Sequence, residues 1–307
     1  MSVFEELRST RKSAATGKRE NKAAFWFLLP WLLGLLLITA GPMIASLVLS
    51  FTNYNLLQAP SFIGGHNYVR MFQDPRLLNS LRVTFTYVFV SVPIQLVVAL
   101  VAAIVLDKGM RALPFYRSVF YLPSLLGSSV AVAILWRQVF GQSGLFNQLL
   151  GKVGFHDLPG WISDPHWALG TIILLNVWTF GAPMIIFLAG LRQIPTMYYE
   201  AAAIDGAGRW TQLWKVTLPL LSPIFFFNVL LQLIGAFQSF TQAFIVSGGT
   251  GGPSDSTMFY SLYLYQQGFA QFNMGYASAM AWLLFIIIAA LSGVTFLTSK
   301  YWVFYDN

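Results

Sequence analysis

The chain has 307 residues, of which 56% are hydrophobic and only 9% charged, and its mean hydropathy is +0.64. Soluble domains carry about 25% charged residues, so this composition places most of the chain in a bilayer. With no cysteine, it has no disulfide, no thiolate metal site and no cysteine nucleophile.

Residues 1–22 form a basic, polar amino-terminal tail, too long and too charged for the leading region of a signal peptide. No A-x-A cleavage site follows Phe25–Ala40, so the first apolar segment is read as a retained span. A helix needs about 20 apolar residues to cross the hydrocarbon core. Charge-free stretches give six spans over residues 23–51, 83–106, 118–136, 167–191, 223–246 and 276–298, so that 23–307 is one transmembrane domain. The third is the weakest, with Pro123 and Gly127 inside it. Long apolar runs without alternation exclude a β-barrel. The expected fold is all-α and polytopic, with six transmembrane helices.

Six spans put both termini on one side. The tail, the 107–117 loop, the 192–222 loop and Lys300 hold thirteen of the Lys and Arg residues; Arg70, Arg76, Arg82, Arg137 and Lys152 make five on the other. The positive-inside rule therefore predicts cytoplasmic termini and a cytoplasmic 192–222 loop. This asymmetry also explains the formal charge of +7 as topology, with no nucleic-acid partner. Between the spans, a short interfacial helix is expected around Leu145–Leu150. The glycine-rich Ser247–Pro253 is either a flexible loop or a surface for an extracytoplasmic binding protein.

The 192–222 loop is a charged island. Only Arg192, Glu200, Asp205, Arg209 and Lys215 interrupt charge-free sequence from Pro165 to Ser254. Glu200–Ile204 contains three consecutive alanines and favours helix. Gly206 and Gly208 break it, since glycine readily takes the positive φ that ends helices. Asp205 is expected to end the first helix and cap a second beginning near Ala207. Trp210, Leu213, Trp214 and Thr217 recur at helical spacing, and Pro219 and Pro223 mark the start of the next span. A thin, alanine-rich helix with an exposed Glu200 suits a docking surface for a soluble partner.

Here a resemblance enters. Glu200, Ala201, Ala202, Asp205, Gly206 and Ala207, followed by Leu218-Pro219, resemble the "EAA loop" of binding-protein-dependent ABC importer permeases. Ser50-Phe51-Thr52-Asn53-Tyr54, then Gly65-His66-Asn67-Tyr68 with Phe72, resemble the pattern of their sugar-importer branch, as does Phe240 to Pro253. The similarity runs from about Phe25 to Tyr301 and is nearest to first permeases of the maltose, lactose and glycerol-phosphate type. Thr241 departs from it, since many relatives carry an acidic residue there. The resemblance implies an ABC importer type I permease fold in a bacterial or archaeal inner membrane. It implies as partners a second homologous permease, two cytoplasmic ATPases, an extracytoplasmic solute-binding protein and a sugar. ATP and Mg would be bound by the ATPases, with no cofactor in this chain.

The rest of the sequence is consistent with a transport role. No G-x-x-x-x-G-K-[ST] occurs. His66, His156 and His166 are scattered over loops without ligand spacing, and no catalytic constellation stands out, so the chain is not expected to be an enzyme. No acidic residue lies in mid-span, which argues against an ion-coupled secondary carrier. An organic-phosphate permease would be expected to show cavity Arg or Lys. The polar mid-span groups are neutral: Gln95, Asn176, Asn228, Gln232, Gln238 and Gln242. Amides can bond sugar hydroxyls and flat rings can cover the sugar's C–H face; amides also join helices to one another. Asn176, Trp178, Gln238 and Gln242 are the expected substrate-path residues, with Gln238 and Gln242 four apart on one helix face.

Overall fold

The computed structural model describes residues 25–109 and 112–304, so the tail at 1–22 and Arg111 lie outside the described residues. The first helix, α1 (Phe25–Ser50), is 26 residues long. It widens to a π-turn over Leu35–Ala40, where the Gly41 N–H reaches back to the Leu36 carbonyl. Pro42 follows at once. Its ring lacks an N–H and crowds the preceding turn, and a widened turn relieves that crowding.

A hydrogen-bonded knot follows α1. Asn67 Nδ2 donates to the carbonyls of Ser50 (2.8 Å) and Thr52 (2.9 Å), and Ser50 Oγ shares a hydrogen bond with Tyr68 Oη (2.8 Å). The Gly275 N–H donates to the Tyr54 carbonyl. A Cβ on Gly275 would strike the Thr52 carbonyl, which explains the glycine. The serine, asparagine and tyrosine of the S-F-T-N-Y and G-H-N-Y segments thus hold backbone together at one end of the bundle.

Helix α2 (His66–Gln73) leads into α3 (Pro75–Asp107), a 33-residue helix about 50 Å long. Asp74 caps α3 by accepting from the N–H groups of Arg76 and Leu77. The predicted span 83–106 is therefore extended by two turns toward Arg76. Helix α3 is the central post. Its buried Leu96, Ala99, Ala103 and Leu106 belong to one core with Ile172, Met184, Phe187, Leu188 and Leu221 of later spans, and the two alanines allow close approach.

The third predicted span is not one helix. Helices α4 (Leu113–Leu126) and α5 (Val130–Val139) meet at 95°. Gly127 closes α4 with its N–H on the Pro123 carbonyl, and Ser129 starts α5 as an extended cap whose Oγ accepts from Val132. A short helix, α6 (Leu145–Lys152), forms where one was expected.

The fourth span is α7 (Ala168–Trp178) and α8 (Gly181–Leu191), separated by an unwound turn at Thr179–Phe180. Then come α9 (Thr196–Ile204), the single turn α10 (Arg209–Gln212), a π-turn at Leu213–Thr217 and α11 (Leu218–Phe237). Pro219 stands at the start of the fifth-span α-helix as expected, whereas Pro223 lies inside it. The helical run Arg209–Val246 passes through both prolines. Pro219 sits in the first turn of α11, where its missing N–H matters least, and the Ser222 hydroxyl bonds the Pro219 carbonyl (2.6 Å) that Pro223 cannot serve.

After an interruption at Gln238–Phe240 come α12 (Thr241–Val246), α13 (Tyr260–Tyr265) and the last span, α14 (Met274–Trp302). Among the described residues, five helical runs are long and apolar enough to cross a membrane, and the bent α4–α5 pair makes up to six. Helix α1 packs along α14, where Trp282 Nε1 reaches Ser46 Oγ (3.2 Å). Apart from Ser50 no residue of α1 is buried.

Candidate functional site

Two sites follow from these elements. The first is the loop carrying Glu200, Ala201, Ala202, Asp205, Gly206 and Ala207. Helix α9 ends as a Schellman turn: the Ala207 N–H bonds the Ala202 carbonyl (2.9 Å) and the Gly206 N–H that of Ala203 (3.0 Å). Gly206 has φ +76°, the conformation only glycine takes without strain. Asp205 does not cap the second helix as expected. Gly208 occupies that position, two residues after Gly206, and no side chain bonds there. The Schellman turn already consumes the residues Asp205 would have needed to reach forward.

No residue of α9 is buried. Met197, Glu200, Ala201 and Ile204 recur at helical spacing along it, and Ile204 is 87% exposed. An apolar strip with one anion on a helix held away from the bundle is suited to insertion into another protein's groove. The helix is braced from behind, where Tyr199 Oη meets Thr217 Oγ1 (3.1 Å) and Gln212 Nε2 donates to the Ala207 carbonyl (3.2 Å). Arg192 Nε lies 3.4 Å from the Asp107 carboxylate and ties the start of the loop to the end of α3.

The second site is the predicted path. Asn176 is half-buried in the last turn of α7, and its Nδ2 donates to Gln95 Oε1 (3.4 Å). Trp178 is partly exposed, with its ring 5.9 Å from that of Trp136. Gln238 and Gln242 do not share a continuous helix. Gln238 is the C-terminal cap of α11, and the chain leaves helical geometry at Phe240 (φ −132°, ψ −55°) before α12 begins. Gln238 is exposed, whereas Gln242 Nε2 donates to the Gly127 carbonyl (3.3 Å). The four residues therefore divide. Trp178 and Gln238 present free surface, while Asn176 and Gln242 also join spans. Asn228 is fully buried and bonds its own helix at Ile224, so it lies off any path.

Residues the sequence did not single out as a site complete this picture. Ser124 Oγ donates to the Thr179 carbonyl and accepts from the Ala182 N–H, both at 2.8 Å. Gln95 stood out as an amide in an apolar run and nothing local marked Ser124, whereas Pro183, four residues after Thr179, lacks the N–H that would serve the Thr179 carbonyl in a helix.

The glycine-rich 247–253 loop is compact. Gly248, Gly249, Gly251 and Gly252 all have positive φ, and the Gly251 carbonyl accepts from both the N–H and Oγ1 of Thr257. Among the described residues, no group of His, Asp and Glu is arranged to hold a metal ion.

Comparison with known proteins decides the class. Residues 67–301 match the family "Binding-protein-dependent transport system inner membrane component". The chain belongs to that family. Among its relatives in this family is the "Probable ABC transporter permease protein YesP" of Bacillus subtilis (strain 168), 49% identical over 96% of each chain. The lactose transport system permease protein LacF of Rhizobium radiobacter is 34% identical, over 84% of this chain and 88% of LacF. The arabinooligosaccharides transport system permease protein AraP of Bacillus subtilis (strain 168) is 31% identical over 89% and 87%. A solved bacterial alginate ABC transporter, in complex with an alginate pentasaccharide-bound periplasmic protein, shares the fold. One of its chains superposes with a TM-score of 0.78 at 20% identity, covering 93% of this chain and 96% of that one. The chain is thus a multi-pass membrane component of a transport system of this family, with an ABC importer permease fold.

Proposed function

We propose that this chain is one permease subunit of an ATP-driven importer for a neutral carbohydrate. It would form half of the pathway beside a second homologous permease. The observation that carries the sugar assignment is the set of uncharged path residues, Asn176, Trp178, Gln238 and Gln242, with neither cation nor carboxylate among them. Amides and indoles recognise hydroxyls and C–H faces, whereas an organic phosphate such as glycerol phosphate calls for Arg or Lys. Several relatives are named for sugars: lactose, starch degradation products and arabinooligosaccharides.

In this reading α9 is the coupling helix, received by one of two cytoplasmic ATPases that bind ATP and Mg. Closure of the ATPases moves α9 and, through Tyr199–Thr217 and Arg192–Asp107, the spans behind it. The spans rock between inward- and outward-facing states around a midplane site. The thirteen-to-five distribution of Lys and Arg supports cytoplasmic termini and a cytoplasmic α9 in a bacterial or archaeal cell membrane. The solute arrives on an extracytoplasmic binding protein.

The test is to purify that binding protein and measure its thermal shift against lactose, maltodextrins, arabino-oligosaccharides, monosaccharides and glycerol phosphate. Stabilisation by a neutral sugar is expected. Stabilisation by glycerol phosphate alone would overturn the sugar assignment.

A further inference from the structure

Three spans are broken, and the breaks are bonded to one another. The third bends at Gly127–Ser129, the fourth unwinds at Thr179–Phe180 and the fifth is interrupted at Gln238–Phe240. An unwound turn at membrane depth leaves backbone groups that no water satisfies, so it persists only where protein supplies partners. Here it does. Gln95 Nε2 donates to the carbonyls of Asn176 (3.0 Å) and Thr179 (3.2 Å) and lies 3.1 Å from Thr179 Oγ1, while its Oε1 accepts from Asn176 Nδ2. Two amide hydrogens are shared among three acceptors. Ser124 adds its bonds to the Thr179 carbonyl and the Ala182 N–H, and Gln242 bonds the Gly127 carbonyl. The approach is as close as backbones permit. A Cβ on Gly127 would strike the Thr179 methyl, and one on Gly181 the Phe120 carbonyl.

Gln95 is 2% exposed and stands on α3, which continues unbroken past Pro93. Its partners all belong to Asn176, in the last turn of α7, and Thr179, in the turn that follows. In an intact helix backbone carbonyls are taken by helical N–H groups; here Gln95 reaches two of them, on either side of the point where α7 ends. We infer that Gln95 is a positioning residue of the translocation path: its carboxamide fixes the unwound turn of the fourth span and thereby sets where Asn176 and Trp178 stand. The inference rests on the proposed path in taking those two residues as facing the solute. Loss of Gln95 loosens the turn without orphaning it. The Asn176 carbonyl keeps the Thr179 N–H and the Thr179 carbonyl keeps Ser124. The effect is therefore local.

The chain has no cysteine, which makes a single reporter clean. In the full transporter complex, Trp178→Cys is reacted with N-ethylmaleimide with and without Gln95→Met, which keeps side-chain length and removes the hydrogen bonds. Hydrogen exchange is followed in parallel over residues 176–182. Gln95→Met is expected to change the labelling rate at 178 and speed exchange over 176–182 by about fivefold or more, leaving exchange over residues 274–302 unchanged. Ser124→Ala, a milder change on a different span, should loosen the same segment, and Gln95→Glu at low pH, neutral and still a donor, should restore part of the protection. Unchanged labelling and exchange at the turn would overturn the inference. So would a uniform rise in exchange over all spans with a lower melting temperature, which would make Gln95 a helix-joining residue only. Local loosening with full transport in Asn176→Leu would overturn the path reading alone and leave Gln95 assigned to the turn.

Discussion

Arg76 grips Asp255 across 179 residues of sequence, Nε to Oδ2 at 2.8 Å and Nη2 to Oδ1 at 2.9 Å. Asp255 and its neighbour Ser254 both have positive φ (56° and 52°), unusual for residues with side chains. The pair, with Asn79 donating to the Asp255 carbonyl (3.1 Å), holds this strained bend against the start of α3. The 247–259 segment is therefore pinned at Asp255. Both side chains are about a third exposed, so screening limits the pair to about 1 kcal/mol. Arg76→Ala should leave the chain folded but hasten limited proteolysis within 247–259. Equal cleavage rates would show that the glycine turn holds itself.

Asp74 gives a pH prediction. Burial works against its charge. Hydrogen bonds from Tyr263 (2.7 Å), Tyr276 (2.8 Å) and the N–H groups of Leu77 and Arg76 outweigh burial and hold the carboxyl below its ordinary value of 3.8. A depressed folded pKa stabilises at pH above the unfolded value, and that contribution is lost as pH falls through the folded one. The stability gap between the wild type and Asp74→Asn should be full at pH 7 and shrink below about pH 4. No gap at any pH would mean that the helix cap, which Asn also provides, is all that Asp74 contributes.

For coupling, Glu200→Ala should abolish solute-stimulated ATP hydrolysis in the assembled transporter while membrane insertion persists. A charge-assisted contact buried in an ATPase groove is worth about 1.5–3 kcal/mol. Gly206→Pro should do the same by removing the N–H that closes the Schellman turn at φ +76°. Full stimulated activity in both would remove α9 from the coupling role.

The two glutamines at the fifth-span interruption should now behave differently. Gln242→Leu removes the bond to the Gly127 carbonyl and should lower thermal stability by about 1 kcal/mol. Gln238→Leu touches an exposed amide and should reduce transport about threefold to tenfold with stability unchanged, if one neutral hydrogen bond to solute is lost. The reverse pattern would place the path elsewhere.

Sidedness is testable with introduced cysteines. Asp157→Cys should label from outside with an impermeant thiol reagent and Ile204→Cys should not; both positions are exposed, so access alone decides. Labelling of both from outside would overturn the topology.

The long apolar helices and the helix–turn–helix at 196–212 were legible in the sequence because each depends on local properties. Apolar length measures a bilayer, and glycine at Gly206 or Gly208 ends a helix whatever surrounds it. The bend in the third span was marked by Pro123 and Gly127, but the interruptions of the fourth and fifth were not legible. Pro223 reads as a boundary and lies inside a helix, because the nearby Ser222 hydroxyl satisfies the carbonyl it frees. Thr179 reads as ordinary span and marks a break. Where a membrane helix can unwind depends on whether another span offers donors and acceptors at that depth, here Gln95 and Ser124, far away in sequence. The same dependence separated Gln238 from Gln242. Their spacing of four made one face only on an intact helix, and the packing of Gly127 against the fourth and fifth spans decided that the helix is not intact.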